Sequence, residues 1–196
     1  MKGNNQKSAY VLLGVLSIMI IGLSIAFAAL SSTLNITFGN VTQSAESWNI
    51  AFKTGTGVAG TAKGTSTTGR TCGTANITAT TATIADTTLS KPGDKCTWTL
   101  TIKNSGTVAA NLGSITPTAP SSVSCTNSGA SMVCGNITYK LTTNSGGSTL
   151  LTTSAGNLTA GSSLTVYLVA EYTGTTVNSS AVTQTGGKFT LVYNQA

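Results

Sequence analysis

The side chains able to do polar chemistry are few. Residues 1–196 hold Cys72, Cys96, Cys125 and Cys134, the carboxylates Glu46, Asp86, Asp94 and Glu171, and no histidine. Without histidine, neither a His-Glu-x-x-His zinc site nor a Ser-His-Asp triad can be built. Hydrolysis by paired carboxylates needs two acids about 5–10 Å apart. Asp86 and Asp94 are the nearest pair in sequence, and only the intervening turn would bring them together. No motif singles out a Ser-Lys dyad. There is no Cys-x-x-Cys pair to hold zinc. Asp94, in Pro92-Gly93-Asp94, is read as a side chain that closes a turn rather than as a calcium ligand. The expectation is a non-enzyme with no catalytic residue, no metal and no cofactor.

The cysteines then read as disulfides. Four thiols allow three pairings. Thr126-Asn127-Ser128-Gly129-Ala130-Ser131 is rich in turn formers, which favours a bridge across a hairpin neck between Cys125 and Cys134. Cys72 with Cys96 follows by elimination, and each bridge is worth roughly 2–4 kcal/mol. Disulfides persist outside the cytoplasm, and the amino terminus supplies a route there. Lys2 and Lys7 precede an uncharged run from Ala9 to Leu30 that ends in Ala26-Phe27-Ala28-Ala29. A basic head, an apolar stretch and a small-residue exit form an export signal, with cleavage expected after Ala28 and with Ala26, Ala28 and Ala29 presented to a signal peptidase. The run is long enough for a membrane helix, so an uncleaved anchor is the alternative. The carboxyl end carries neither a hydrophobic tail nor a basic stop. The expected location is secreted, in an extracellular matrix or at the cell surface.

Charged residues make up 7% of the chain, against roughly 25% in ordinary soluble domains. Thr, Ser, Asn and Gly take their place, a composition that favours strands over helices. The leader holds two lysines, so residues 29–196 carry a formal +4 against +6 for the whole chain. Their cations are scattered along the sequence, without the aromatic-interleaved cluster of a nucleic-acid patch. A weakly basic surface remains, with anionic wall or matrix polymers as its expected contacts and no nucleic acid.

Period-two alternation marks the strands. Leu30, Leu34, Ile36 and Phe38 share one face of the segment 29–38. Trp48, Ile50 and Phe52 share another over Ser47–Phe52. Thr54–Thr74 reads as a loop or weak hairpin, and Ala75–Ala85 as a strand bent near Thr80-Thr81. Leu89–Asp94 is a turn. Cys96, Trp98, Leu100 and Ile102 give the cleanest alternation. Further strands are expected over Val108–Ile115 (closed by Pro117 and Pro120), Met132–Thr142, Leu164–Tyr172 and Phe189–Tyr193. Trp48 and Trp98 are both placed in the core rather than on a sugar-stacking surface. The fold expected is all-β: an antiparallel β-sandwich of jelly-roll or immunoglobulin-like wiring over 29–196, the jelly roll preferred, after an apolar signal helix over 1–28.

Three pieces of the chain carry a resemblance. They are the leader running into Ala26-Phe27-Ala28-Ala29-Leu30-Ser31-Ser32-Thr33-Leu34, the segment Ser47-Trp48-Asn49-Ile50-Ala51-Phe52, and Leu89-Ser90-Lys91-Pro92-Gly93-Asp94 followed by a strand and Lys103-Asn104-Ser105-Gly106-Thr107. In this order and spacing they resemble the TasA and camelysin family of exported Gram-positive proteins, over most of residues 1–110. The resemblance implies a jelly-roll domain, processing by a SipW-type signal peptidase and assembly into biofilm-matrix fibres by strand donation. Camelysins are also described as metallopeptidases, a weak alternative here given the missing histidine. The chain departs from the family in its smaller size, its four cysteines and its low charge.

A strand that starts at a freshly cut terminus is free to pair with another molecule's sheet edge. Leu30, Leu34, Ile36 and Phe38 would fill the neighbour's groove, and head-to-tail contacts that do not close give filaments. The function expected is a structural subunit or accessory of extracellular fibres that self-associates by strand exchange. The alternative is a monomeric surface adhesin or ligand-binding sandwich, held by an uncleaved leader.

Overall fold

The alternation Cys96-x-Trp98-x-Leu100-x-Ile102 becomes the spine of the molecule. In a computed structural model that describes residues 46–64 and 69–196, this run lies in β6 (Lys95–Asn104) and its four side chains are all buried. The leader, the cleavage residues Ala26, Ala28 and Ala29, and the strand bearing Leu30, Leu34, Ile36 and Phe38 lie outside the described residues.

β1 (Ile50–Phe52) and β3 (Thr61–Lys63) pair along one edge of β6, and β11 (Ser163–Tyr172) along the other. Beyond β11 come β10 (Ile137–Thr142), β9 (Ser131–Cys134) and β8 (Cys125–Ser128), completing a seven-stranded antiparallel sheet. Two smaller sheets accompany it. One pairs β7 (Ala110–Thr118) with β12 (Lys188–Gln195), and the other joins β2 (Gly55–Val58), β4 (Ala75–Ile77) and β5 (Ala82–Ile84). All three sheets contribute to one apolar cluster: Trp98, Leu100 and Val166 from the wide sheet, Leu112 from β7, Ala75 and Ile77 from β4. The fold is therefore all-β and sandwich-like, and the one helical piece among the described residues is the 3-10 turn Ser154–Gly156.

Trp98 shows how the core is tied to the small sheets. Its ring is 1% exposed, and its Nε1–H donates to the Gly73 carbonyl at 2.6 Å. Gly60 lies against the same ring, where an added Cβ would stand 2.5 Å from Nε1. A buried indole needs its polar end satisfied, and here the backbone beside Cys72 does it.

Several sequence expectations change. Ala75–Ala85 is a hairpin rather than one bent strand. Ala75 pairs with Ile84 and Ile77 with Ala82, and Thr78 closes the turn by accepting the Thr81 N–H on its Oγ1 at 3.0 Å. The odd–even offset between Ile77 and Ile84 reflects this reversal. Met132–Thr142 is likewise two strands, turned at Gly135, whose φ of +56° favours glycine. Thr54–Thr74, expected as a loop or weak hairpin, supplies β2, which pairs with β4, and β3, which pairs with β6. Pro117 does not close β7 but sits within it opposite Phe189. Trp48 is 44% exposed, not core. The strand begins only at Ile50. The preceding segment is held instead by the 105–107 turn, through Ser105 N–H to the Asn49 carbonyl and Thr107 N–H to the Ser47 carbonyl.

Candidate functional site

The four cysteines pair as Cys72–Cys96 and Cys125–Cys134. Cys125 and Cys134 are direct cross-strand partners in the β8–β9 hairpin, with Cα atoms 4.3 Å apart. Cys72 and Cys96 are 5.6 Å apart and fasten the chain ahead of β4 to β6. Both bridges rest on the wide sheet, and their sulfurs are committed to structure.

The carboxylates are dispersed. Asp94 is wholly buried. Its Oδ2 accepts the backbone N–H groups of Ser90 and Lys91 at 2.9 Å each, and its Oδ1 faces Arg70 Nη1 at 3.4 Å. It closes the Leu89–Asp94 turn, with Gly93 at φ +88°. Glu171 is shared between Lys95 at 3.6 Å and Lys140 at 3.4 Å. Glu46 and Asp86 are exposed. Among the described residues no three His, Cys, Asp or Glu side chains are grouped as metal ligands would be.

What remains as a candidate site is a sheet edge. β12 pairs with β7 over eight positions, from Lys188 opposite Thr118 to Gln195 opposite Ala110. The register shifts between Val192 and Tyr193, leaving Gly113 as the extra residue on β7. Gly113 lies beside the Asn194 side chain, which a Cβ there would have to displace. The bulge lets both Leu112 and Ile115, of opposite parity, face inward. β7's far edge is occupied at its start. Ala110 and Leu158 exchange backbone bonds of 2.7 and 2.8 Å, and Leu112 N–H donates to Asn157 Oδ1 at 3.0 Å. On the other side, among the described residues, β12 pairs with no strand but β7.

The inward row of β12, namely Phe189, Leu191 and Tyr193, is only half-buried although it packs on the core cluster. The Tyr193 hydroxyl is itself buried, with no hydrogen-bond partner among the described residues. Burial raises its pKa from 10.0 to about 12, and the same cause raises Tyr139, whose hydroxyl donates to Gln184 Oε1 at 3.1 Å.

Sequence reading missed Asn104, Asn136 and Asn157. Asn104 is fully buried; its Nδ2 donates to the Val108 carbonyl at 2.8 Å and its Oδ1 accepts the Gly106 N–H at 3.0 Å. Asn-Ser-Gly after a strand was the available signal. Asn136 donates to the Tyr172 hydroxyl at 3.0 Å, pinning the start of the long 173–187 connection. No single-sequence signal marks that contact.

No helix among the described residues is long and apolar enough to cross a membrane. No family model matches this chain, and neither a curated protein nor a solved structure matches it.

Proposed function

We propose that the chain is a secreted structural subunit of extracellular matrix fibres, and that residues 29–38 of one copy complete the β12 edge of the next. The observation that carries this reading is the β12 edge, flanked among the described residues on one side only and bearing three half-buried apolar side chains at period two. Leu34, Ile36 and Phe38 repeat at the same period, so an added antiparallel strand would place its apolar row over that of β12. Each such side chain contributes about 1.5–3 kcal/mol when fully covered. Two disulfides suit a protein that works in an oxidising compartment. The low charge leaves little repulsion between copies.

Electron microscopy of the purified protein is the test. Filaments are expected from the intact chain, and isolated particles after deletion of residues 29–38 or after Leu191→Lys on the acceptor edge. Filaments that survive the deletion would refute strand donation.

One observation favours a second reading, a monomeric surface adhesin. Trp48 stands 44% exposed beside the 105–107 turn, where an indole face can stack on a sugar ring. Isolated particles from the intact chain, together with sugar binding abolished by Trp48→Ala, would establish it.

A further inference from the structure

The cations that are scattered in sequence converge in space. Burial along β6 assigns its even positions to the core and leaves Lys95, Thr97, Thr99, Thr101 and Lys103 on the opposite face, where Thr97 is itself buried, Lys95 and Thr101 are half-buried, and Thr99 and Lys103 are exposed. Register then places partners on that same outer face. Lys63 is opposite Lys95, Glu171 is opposite Lys95 from β11, and Lys140 lies on β10 opposite Val169. Lys53, one residue beyond β1, donates its N–H to the Thr101 carbonyl at 2.8 Å and continues the alternation. Five lysines thus share a sheet face with one carboxylate. Arg70, Lys91 and Lys188 are matched in number by Glu46, Asp86 and Asp94. This one face therefore holds the whole formal charge surplus of residues 46–196.

Neutralisation within the face is incomplete. Glu171 is divided between Lys95 and Lys140, while Lys63 stands directly opposite Lys95, a like-charge pairing that is unfavourable without a counter-charge. Lys95 and Lys103 are eight residues apart on one strand, about 27 Å at strand rise. Thr99 and Thr101 lie between them, with exposed Thr165 opposite Thr101. Gly147 packs on the buried Val169, and Lys95 Nζ donates to the Gly146 carbonyl at 3.1 Å, so the open stretch of the face runs from Thr99 to Lys103. Charges spread this far along a strand suit an extended polymer better than a compact anion.

We infer that the outer face of the seven-stranded sheet binds a linear, non-nucleic polyanion laid along β6, with lysines neutralising its charges and threonine hydroxyls donating between them. The partner is distinguished from nucleic acid by what the face lacks. Among the described residues Tyr167 is its one aromatic side chain, whereas single-stranded nucleic acids are held on successive stacking platforms. Its cations are all lysine, point charges without the fork that reads guanine. The inference stands apart from strand exchange, because it uses none of the β12 edge.

The test is binding of fluorescent long-chain polyphosphate to the full chain in non-ionic detergent, with polygalacturonate as a parallel arm to separate phosphate from carboxylate polymers. By counterion release, a polymer that uses four lysines should lose on the order of 50-fold in affinity between 50 and 200 mM salt. In Lys53→Gln/Lys63→Gln/Lys103→Gln the same salt step should cost only about threefold, and affinity at 50 mM should be at least about tenfold weaker. Glu171→Gln should tighten binding, a gain that misfolding cannot mimic. Lys91→Gln/Lys188→Gln, off the face, should bind as the parent does. Binding of either polymer with this pattern supports the inference, and the tighter of the two names the partner's charge. Three outcomes overturn it: neither polymer binds, the off-face variant loses as much as the triple variant, or oligo-dT binds as tightly as the better polymer.

Discussion

β6 and β12 carry the same kind of sequence and meet different fates. Cys96, Trp98, Leu100 and Ile102 alternate at period two, as Phe189, Leu191 and Tyr193 do, yet the first row is no more than 4% exposed and the second is only half-buried. Neighbours make the difference. β6 has β1 and β3 on one side and β11 on the other, whereas β12 has β7 alone among the described residues. Burial of a strand's apolar face is thus set by what lies beside and across from it, not by the strand's own pattern. The half-covered row is where this molecule has unspent capacity for contact.

The sharpest way to break the comparison is to truncate one side chain in each row. Trp98→Ala removes a fully buried ring and its bond to Gly73, and should cost about 3–5 kcal/mol in denaturant unfolding. Leu191→Ala, half-buried, should cost roughly 1–2 kcal/mol in the unassembled subunit. If the two losses are equal in unassembled protein, β12 is already covered and the contrast fails. In filaments the Leu191→Ala penalty should grow, which would sharpen it.

The disulfides set the next scale, because both fasten the wide sheet and neither has a cysteine in β7 or β12. Loop-closure entropy gives about 3.5 kcal/mol for the 24-residue separation of Cys72–Cys96 and about 2.7 kcal/mol for the 9-residue separation of Cys125–Cys134. Serine pairs at each position, compared by thermal unfolding, should show the larger loss for the first. Hydrogen exchange should rise along β6 and β9 in the variants and stay unchanged along β12.

The smallest effect is alkaline. Tyr193's folded pKa, about 12, lies above its ordinary 10.0, so the folded state keeps a proton that the unfolded chain releases. Its contribution to stability is intact below pH 10 and is lost as pH rises through about 12. The difference in tyrosinate absorbance between the parent and Tyr193→Phe should place the Tyr193 transition near pH 12, and the variant should flatten that part of the stability profile. A strand docked on β12 should push the transition higher still.

Much of the scaffold was legible from local pattern. Trp98 and its row, the Leu89–Asp94 turn closed by Asp94, and the Cys125–Cys134 neck all follow from spacing within a few residues. The misreadings share a cause. Ile77 and Ile84, like Met132 and Leu141, look like one strand each because a tight turn preserves apolar content while reversing direction. Trp48 looks like core because alternation cannot say where pairing begins. For the candidate edge, the sequence contained Phe189, Leu191 and Tyr193 but not the fact that β7 is their sole described neighbour. Gly113, the extra residue at the β7 bulge, carried no signal of its own.

By itself the sequence determined an all-β, disulfide-bonded chain of low charge, because strand alternation, turn residues and cysteine spacing act over short distances. Only the tertiary structure decided which faces and edges lack a neighbour among the described residues. The lysines at 53, 63, 95, 103 and 140 lie up to 87 positions apart and share a face solely through cross-strand register. Register is fixed by pairing between distant segments, and no local window of residues contains it.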